Sequence, residues 1–549
     1  MENNFAQTFT LLRFQLRQKW LWLALWLFGL TAFASGYVPA FEKIAEDQGK
    51  VGLFVTMQNP AMAAIVGPLP VDVANNYTVG VMYGHEMTLF IAVVTMMIAG
   101  SFMIEQTRKT EENGQLEILK SLGIGARAYS MAAILLVLMH TILMVVLISG
   151  LLVSYHVQTV DVAGSMYFAS SIGLASLLGA SLAYVCAQIF PTSSQARGIF
   201  FSIVGLLYLL RASTDVSNLD FSKINPLAWT YLGRPFLRNN LNYTSALLVL
   251  TLVLFLVGMK LESQRDLGAS LLVARKGKTQ AKGYLTTPLG FIFYLNKGTI
   301  IAWFIADVMI ALMYGSIYGD IDTFVNSNEL ISQMFANDAS SLTDSFTSLI
   351  MVVMTAIGLV MPLVVVRKVH TEEAKSRLGY LVVHRVSRGK IYLSTLFLSL
   401  VFGLLAIVLN GISLGVAAVS SMKAESYDFV WTCLKAAMNQ WPLVWLFVGL
   451  MLLSLSLPAV FGWLVYGLLG YSFCVTYFAV LLDLPKWERS INISTFLACF
   501  YLLNIILNIT SKITPSPRLK NLGMAMIFFC FLEVCKFSEF FNCFCLLIR

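Results

Sequence analysis

The chain has 549 residues, of which 58% are hydrophobic and only 12% are charged, and its formal net charge is +8. A soluble domain usually carries about twice that charged fraction. Soluble domains are therefore excluded, because too little charge is present to cover their surfaces. In a membrane protein, an excess of lysine and arginine over aspartate and glutamate is typical of cytoplasmic loops, which argues against a nucleic-acid partner.

The apolar residues form long blocks, for example at residues 131–155, 245–261, 391–418 and 461–482. Each block reaches or approaches the ~20 residues that a helix needs to cross ~30 Å of hydrocarbon. The sequence therefore predicts an all-α polytopic membrane protein with about 12 transmembrane helices.

The positions of lysine and arginine predict the topology. Basic residues cluster near the N-terminus and in residues 107–129, 265–282 and 367–390, so these regions are expected to be cytoplasmic. Residues 1–264 then form a first six-helix half, residues 265–287 form a basic cytoplasmic linker, and residues 288–549 form a second half. The loop at residues 211–243 should lie outside although it contains Arg211 and Lys223, so a re-entrant segment around residues 226–237 remains an alternative.

Each half opens with a predicted amphipathic lead-in that lies at the cytoplasmic surface. In the first, Phe5, Phe9, Leu12 and Leu16 recur at helical spacing. The second, around residues 288–295, is the weaker helix, because its Thr-Thr-Pro start and following glycine favour a break.

Both halves place a charged segment after their second helix, which indicates an internal duplication. One segment spans residues 107–129 and the other spans residues 367–390, and both contain a Glu-Glu pair followed by spaced leucines. Leu116, Leu119 and Leu122 predict a short helix with one apolar side and with the acidic pair in its first turn. Two matched copies favour docking onto a cytoplasmic partner, and the alternative is an ordinary solvated loop.

Motifs of soluble enzymes are missing from the sequence. The nearest match to a phosphate-binding loop is Gly277-Lys278-Thr279, but Leu272 occupies the position of the required glycine. The eight cysteines and five histidines have no metal-ligand spacing. We therefore expect no catalytic residue, no metal site and no cofactor on this chain.

The segment at residues 107–119 resembles the cytoplasmic loop of ABC-2-type transporter permeases. More narrowly, it is similar to the large duplicated permeases of Gram-positive bacteria that are described as polyketide-antibiotic exporters. In the first copy the resemblance rests on Arg108, Glu111, Glu112, Gly114, Leu116, Glu117 and Arg127. In the second copy it rests on Glu372, Glu373, Arg377, Leu378 and Arg388. The second copy departs from the pattern, because Gly379 stands where the first has Glu117.

The resemblance implies that both segments are coupling helices that dock on two cytoplasmic ATP-binding-cassette ATPase subunits. ATP and magnesium would bind those partner chains. The permease would then move a hydrophobic or amphipathic, antibiotic-like cargo out of a bacterial cell, across the plasma membrane, with its N-terminus in the cytoplasm.

Two ionisable residues within predicted spans are candidates for the translocation path, because buried charge in a membrane is costly. Asp307 is the clearer candidate, and His140 is the second. For both, the alternative is a structural partner on a neighbouring helix. The residues Gly173, Ser176, Gly179 and Ala180 instead predict close helix packing.

Two other functions remain open at this stage. An ion-coupled secondary transporter also has paired repeats, and a non-transporting membrane sensor or resistance partner is a third possibility. The tail after about residue 487 is rich in cysteine and phenylalanine, which fits either a lost coding frame near residues 487–495 or a divergent last helix.

Overall fold

The computed structural model describes residues 4–46, 49–58, 60–272, 280, 282–320, 342–374, 377–378, 386–422, 427–458 and 460–478. Within these ranges, ten helices are long and apolar enough to cross a membrane, and the regular secondary structure is helical. The predicted class of all-α polytopic membrane protein is confirmed. The atypical tail lies outside the described residues.

Internal contacts divide the chain into two units. Unit 1 comprises Met1–Gly277 with Asn326–Glu329, and unit 2 comprises Lys278–Val325 with Leu330–Arg549. The structure therefore groups residues 265–272, at the start of the predicted linker, with the helices of unit 1.

Unit 1 contains six of the ten candidate spans in the described part of the chain. Its helices are α1 (Thr8–Ser35), α2 (Val38–Glu46), α3 (Gly49–Met57), α4 (Pro60–Val66), α5 (Val79–Ile104), α6 (Gln115–Ser121), α7 (Ala128–Ser154), α8 (Val162–Ile189), α9 (Ser193–Ser217) and α10 (Leu241–Ser263).

Helix α8 lies at the centre of unit 1 and packs against α5, α7 and α10. Small residues on α8 permit this, since Gly173 faces Thr141 and Val145 of α7 while Gly179 lies against the backbone of Met96 in α5. A side chain at Gly179 would collide with the Met96 carbonyl. The small-residue patch is therefore an element of helix packing.

The segment between α1 and α5 packs against the first turns of α5. The hydroxyl of Tyr77 lies 2.8 Å from Nδ1 of His85, and Nε2 of His85 lies 3.0 Å from the carbonyl oxygen of Gly67. Because a carbonyl only accepts, Nε2 of His85 carries a proton and donates to Gly67. In the neutral imidazole Nδ1 is then an acceptor, and the phenol of Tyr77, whose pKa is raised by burial, donates to it.

Unit 2 contains the other four candidate spans of the described residues and a shorter apolar helix. Its helices are α11 (Pro288–Gly315), α12 (Leu342–Ala374), α13 (Arg388–Met422), α14 (Asp428–Met438), α15 (Trp441–Ser454) and α16 (Val460–Phe478). Helix α13 packs against α11, α12, α14 and α15, so it is the central helix of this unit.

The lead-ins are not separate helices. Helix α1 runs without a break through both the amphipathic start and the first span. In unit 2, the hydroxyl of Thr287 accepts a hydrogen bond from the Gly290 amide, and Pro288 occupies the first turn of α11. Proline fits there because the first amides of a helix have no internal acceptor. The sequence that predicted a break marks the beginning of a continuous helix.

The basic loop at residues 211–243 is shorter than predicted. Arg211 belongs to α9, where its side chain is fully buried and pairs with Asp215 at 3.1 Å. The predicted re-entrant region contains a single helical turn, Trp229–Leu232, followed by irregular chain that packs Phe236 against Phe168. Arg211 is therefore not a loop charge, and counting it for the topology was wrong.

Candidate coupling segments and buried membrane carboxylate

The first candidate coupling segment continues directly from α5. After Ile104 the helix widens into a π-helical turn at Glu105–Lys109 and ends with Thr110–Glu112. Gly114 then adopts a φ of 73°, which a side-chain-bearing residue rarely does, and the chain turns into α6. Gly123, also at a φ of 73°, ends that short helix before α7 begins. A helix is thus found where the leucine spacing predicted one.

Glu111 lies at the centre of a buried ion network. Its carboxylate accepts from Arg108 at 3.1 Å, from Arg265 at 2.5 and 2.7 Å, and from the Gly268 amide at 2.7 Å. The side chains of Glu111 and Arg108 are 3% exposed and that of Arg265 is 8% exposed. Charges buried to this degree require such pairing, because desolvation costs several kcal/mol per ion.

Arg108 connects this network to two further parts of unit 1. Its guanidinium donates to the carbonyl oxygen of Pro191, which follows α8, and to that of Ala269. The backbone amides of Leu271 and Leu272 donate to the last residues of α8. These hydrogen bonds therefore connect the end of α5, the end of α8 and residues 265–272.

The predicted position of the acidic pair is wrong. Glu111 and Glu112 end the helix that precedes the Asn113–Gly114 turn, whereas Glu117 lies in the first turn of α6. Glu112 accepts from both the amide and the hydroxyl of Ser193, at 3.0 and 2.6 Å, at the start of α9. Both glutamates thus bind to their own unit, and neither belongs to the short helix.

Helix α6 has one face against unit 1 and one face open. Leu116 is buried in a cluster with Leu11, Ala128, Tyr129 and Ala132, and Leu119 packs beside it. Ile118 and Leu122 are 68% and 67% exposed. The predicted apolar side is therefore divided, because Leu116 and Leu119 pack internally while Leu122 remains at the surface.

The second segment repeats part of this arrangement. Glu372 at the end of α12 is buried, like Glu111, and lies 3.4 Å from Arg377. Arg377 is 56% exposed, and Glu373 and Arg388 form a loose, exposed pair at 3.9 Å. Leu378 packs against the core that contains Ile292. Residues 375–376 and 379–385 lie outside the described structure, so Gly379 does too.

The remaining predicted residues have varied surroundings. Arg127 precedes α7, and its amide donates to the carbonyl oxygen of Asn4. Nε2 of His140 lies 3.3 Å from the carbonyl oxygen of Leu23, so this histidine links α7 to α1. Asp307 is 1% exposed within α11, and neither of its oxygens has a hydrogen-bond partner in the described chain. His140 and Asp307 belong to different units.

Sequence reasoning missed several residues of these clusters. Arg265 was counted as a linker charge, although it binds Glu111 across 154 positions of sequence. Asn410 of α13, which is 2% exposed and lies near Asp307, carried no charge to draw attention. The Arg211–Asp215 pair had a visible signal, since an opposite charge four residues away lies on the same helix face.

The Arg211–Asp215 pair connects α9 to the segment before α5. Arg211 donates to the carbonyl oxygens of Ala64 and Ile65, while Asp215 accepts from Ser222 at 2.6 Å and from Tyr231 at 2.5 Å. Burial raises the pKa of Tyr231, so its phenol remains a donor. The described residues contain no group of three His, Cys, Asp or Glu side chains able to hold a metal.

Two comparisons with known proteins bear on these segments. Residues 285–498 match the family described as "Multidrug efflux system permease Rv1217c, C-terminal domain". The chain is also 26% identical, over 451 residues, to the multidrug efflux system permease protein Rv1217c of Mycobacterium tuberculosis (strain ATCC 25618 / H37Rv). The chain is similar to a multidrug efflux permease.

The alignment with the mycobacterial permease covers 81% of this chain and 80% of that protein. A match of this length is longer than either unit alone, so it includes parts of both. The similarity therefore extends well beyond the charged segments on which the sequence motif rested.

Proposed function

We propose that this chain is the membrane-spanning permease of an efflux system that moves hydrophobic or amphipathic compounds out of a bacterial cell. The observation that carries this proposal is the alignment, over four fifths of both chains, with a multidrug efflux system permease. The ten helices of the described residues that are long and apolar enough to cross a membrane also support it, since a permease needs such helices.

The proposal includes separate ATPase subunits as the source of energy. The exposed apolar pair of Ile118, in α6, and Leu122, directly after it, fits a protein partner, because two large apolar side chains project from one short segment. The ion network around Glu111 holds the base of α6 to the ends of α5 and α8. A helix mounted in this way would pass a displacement of the ATPase directly to two membrane helices.

The finer features follow from the resemblance to duplicated ABC-2-type permeases. Under the proposal, residues 107–129 contact one ATPase and residues 367–390 contact a second copy. The second contact would be of a different kind, because Arg377, Glu373 and Arg388 are exposed charges. Cytoplasmic placement of both segments and of the N-terminus follows from the positive-inside rule. An antibiotic-like cargo is part of the same proposal.

Replacing Ile118 with Glu tests the docking surface. The charge should weaken association with the ATPase by about tenfold or more, since the contact loses a buried apolar side chain worth about 1.5–3 kcal/mol and would have to desolvate a carboxylate. The measurement is co-purification of the full-length permease with the ATP-binding-cassette ATPase encoded beside it, together with ATP-dependent dye efflux from cells that express both.

Gln115→Glu is the matched control, because it adds the same charge to an exposed position of the same helix while Ile118 and Leu122 remain. It should retain the ATPase. If Ile118→Glu and Gln115→Glu bind the ATPase equally well, α6 is not a docking surface. If the wild type exports dye without any ATPase, the proposed energy source is wrong.

An ion-driven transporter is the second candidate function, and one observation favours it. Asp307 is a buried carboxylate without a hydrogen-bond partner in the described residues, as expected of a site that exchanges a proton or another cation. Efflux that continues in ATP-depleted cells with an imposed proton gradient would support this candidate. Efflux that stops without ATP would support the ATP-driven permease.

A further inference from the structure

Three acceptor oxygens without partners lie close together in the interior of unit 2. Both carboxyl oxygens of Asp307 in α11 and Oδ1 of Asn410 in α13 have no hydrogen-bond partner in the described part of the chain. The side chains are 1% and 2% exposed. Nδ2 of Asn410 makes one long bond, of 3.4 Å, to the Met354 carbonyl oxygen. Such a cluster is costly unless a donor or a cation satisfies it.

Gly358 of α12 leaves the space between these two side chains open. A Cβ at this position would lie 3.3 Å from Nδ2 of Asn410 and 3.5 Å from Oδ2 of Asp307. Three helices thus meet at one point, each with a residue directed to it. A small, closely packed cavity adjoins Asn410 and Gly358, and Thr355 and Gly403 also line it. Asp307 and Asn410 are thus enclosed by the packed helices of unit 2.

Burial determines the protonation of Asp307. An ionised carboxylate that is 1% exposed and has no hydrogen-bond donor among the described residues is strongly disfavoured, so the acid retains its proton. The protonated acid supplies one O–H donor to a cluster in which Oδ1 of Asn410 is an acceptor without a partner among the described residues.

No other charged residue on the described parts of α11, α12 and α13 is within six positions of Asp307, Gly358 or Asn410 on its own helix. On α11, Tyr314, Lys297 and Tyr294 are seven, ten and 13 positions from Asp307, or about 10, 15 and 20 Å along the axis. On α12, Asp344 is 14 positions before Gly358 and Arg367 is nine positions beyond it, with Lys368, His370, Glu372 and Glu373 following. On α13, Tyr392, Lys390 and Arg388 are at least 18 positions from Asn410. Helix α15 has no ionisable residue; on α14, Asp428 and Lys435 are exposed, and the buried thiol-bearing Cys433 lies beside Gly411.

We propose that Asp307 and Asn410 bind the positively charged group of a cationic, amphipathic cargo, and that Asp307 releases its proton when this group binds. The exchange is balanced: the carboxylic acid gives one proton to solvent, and the resulting carboxylate pairs with one cationic group. Entry requires α11, α12 and α13 to move apart, since Asp307 and Asn410 are 1% and 2% exposed in this structure. The inference rests on the proposed function and narrows its cargo to lipophilic cations.

The test measures binding and proton release together. Purified full-length permease in detergent is titrated with tetraphenylphosphonium, a lipophilic monovalent cation, in weakly buffered solution, while equilibrium dialysis counts the bound cation. The wild type should release about one proton per cation bound, and binding should tighten as the pH rises because proton and cation compete for one carboxylate. Asp307→Asn should release no proton and should bind about tenfold or more weakly.

Two variants serve as controls. Asp307→Glu keeps the acid and should keep proton release. Glu86→Gln removes another carboxyl group from a span, in α5 of unit 1, whose Oε1 also lacks a partner among the described residues. It should leave proton release unchanged. Asp307→Asn resembles the protonated acid in shape and polarity, and a monodisperse elution profile would establish that it folds.

The inference is overturned if the wild type binds the cation without releasing a proton, or if Asp307→Asn releases as many protons as the wild type. It is also overturned if the wild type exports neutral compounds but does not bind tetraphenylphosphonium, in which case the proposed efflux function stands. If binding and proton release occur but no compound is exported, the efflux function fails and the cation site stands. The wild-type proton count decides the question even if the variant does not fold.

Discussion

At the scale of single residues, the most informative group is the carboxylate of Glu111. It has two arginines and a backbone amide as partners, and it lies 3% exposed where the sequence alone indicated a surface charge. Charge reversal here would break the interior of unit 1, so it cannot report on docking to a partner. Its counterpart Glu372 is also buried, but its arginine partner is 56% exposed.

Replacing Glu111 with Gln should destabilise the protein strongly. The change leaves Arg108 and Arg265 buried without their counter-ion, and the loss of one partner from a buried pair typically costs about 3–5 kcal/mol. The measurement is the midpoint of thermal unfolding of the purified permease in detergent. Glu112→Gln is the control, because Glu112 is exposed and its bonds to Ser193 should contribute only about 1 kcal/mol. Equal midpoints for the two variants would contradict a special role of Glu111.

Residue roles were the least predictable part of the site. The sequence drew attention to Asp307 because a charge within an apolar block is unusual, and to Arg108 and Glu111 through the motif that they share with ABC-2-type permeases. All three are buried in the structure. The sequence did not indicate that Arg265 binds Glu111, since the two are far apart in the chain and a single sequence contains no distances. It also placed the acidic pair in the short helix. The pair and the helix are separated by a turn at Gly114, whose φ of 73° is visible in the structure but not in the sequence.

At the scale of helices, apolar length and spacing predicted most elements and missed their ends. The helix Gln115–Ser121 lies within the segment where leucine spacing predicted one. The lead-ins were predicted as separate, but no proline interrupts α1, and Pro288 begins α11 instead of breaking it. Helix ends depend on capping contacts such as the bond from the Gly290 amide to Thr287, which a hydrophobicity pattern does not contain.

The packing of α8 against α5 depends on a single glycine. Gly179→Leu should lower the free energy of unfolding by about 1–3 kcal/mol or more, because the new side chain would collide with the Met96 carbonyl and separate the two helices. Folded yield and thermal midpoint in detergent measure the effect. Gly150→Leu in α7 is the matched control, since a Cβ there meets nothing within 4 Å. A normal midpoint for Gly179→Leu would show that α5 and α8 are not held this closely.

At the scale of the whole chain, the first unit of the structure ends later than the first half that we predicted from the positions of charged residues. The sequence suggested that the first half ends at residue 264, where the last apolar block stops and basic residues begin. In the structure, residues 265–272 belong to unit 1, because Arg265 binds Glu111, the Gly268 amide binds the same carboxylate, and Leu271 and Leu272 bond to the end of α8. These contacts fix the start of the linker to the first unit.

This boundary gives a prediction for fragments of the chain. A fragment of residues 1–277 contains every partner of Glu111, whereas a fragment of residues 1–264 lacks Arg265 and the Gly268 amide. The shorter fragment should therefore be less stable by several kcal/mol, since it leaves Glu111 with Arg108 alone. Each fragment is expressed in membranes and extracted, and its thermal midpoint and its resistance to protease are compared.

The variant Glu111→Gln separates this cause from chain length. In the 1–277 fragment it should lower the midpoint strongly, because both arginines lose their counter-ion. In the 1–264 fragment it should have a smaller effect, because Arg265 is already absent and most of the network is lost. Such non-additivity is expected when residues 265–277 and the Glu111 carboxylate stabilise unit 1 through the same contact. If the variant lowers both midpoints equally, residues 265–277 stabilise unit 1 by some other route and the ion network does not define its boundary.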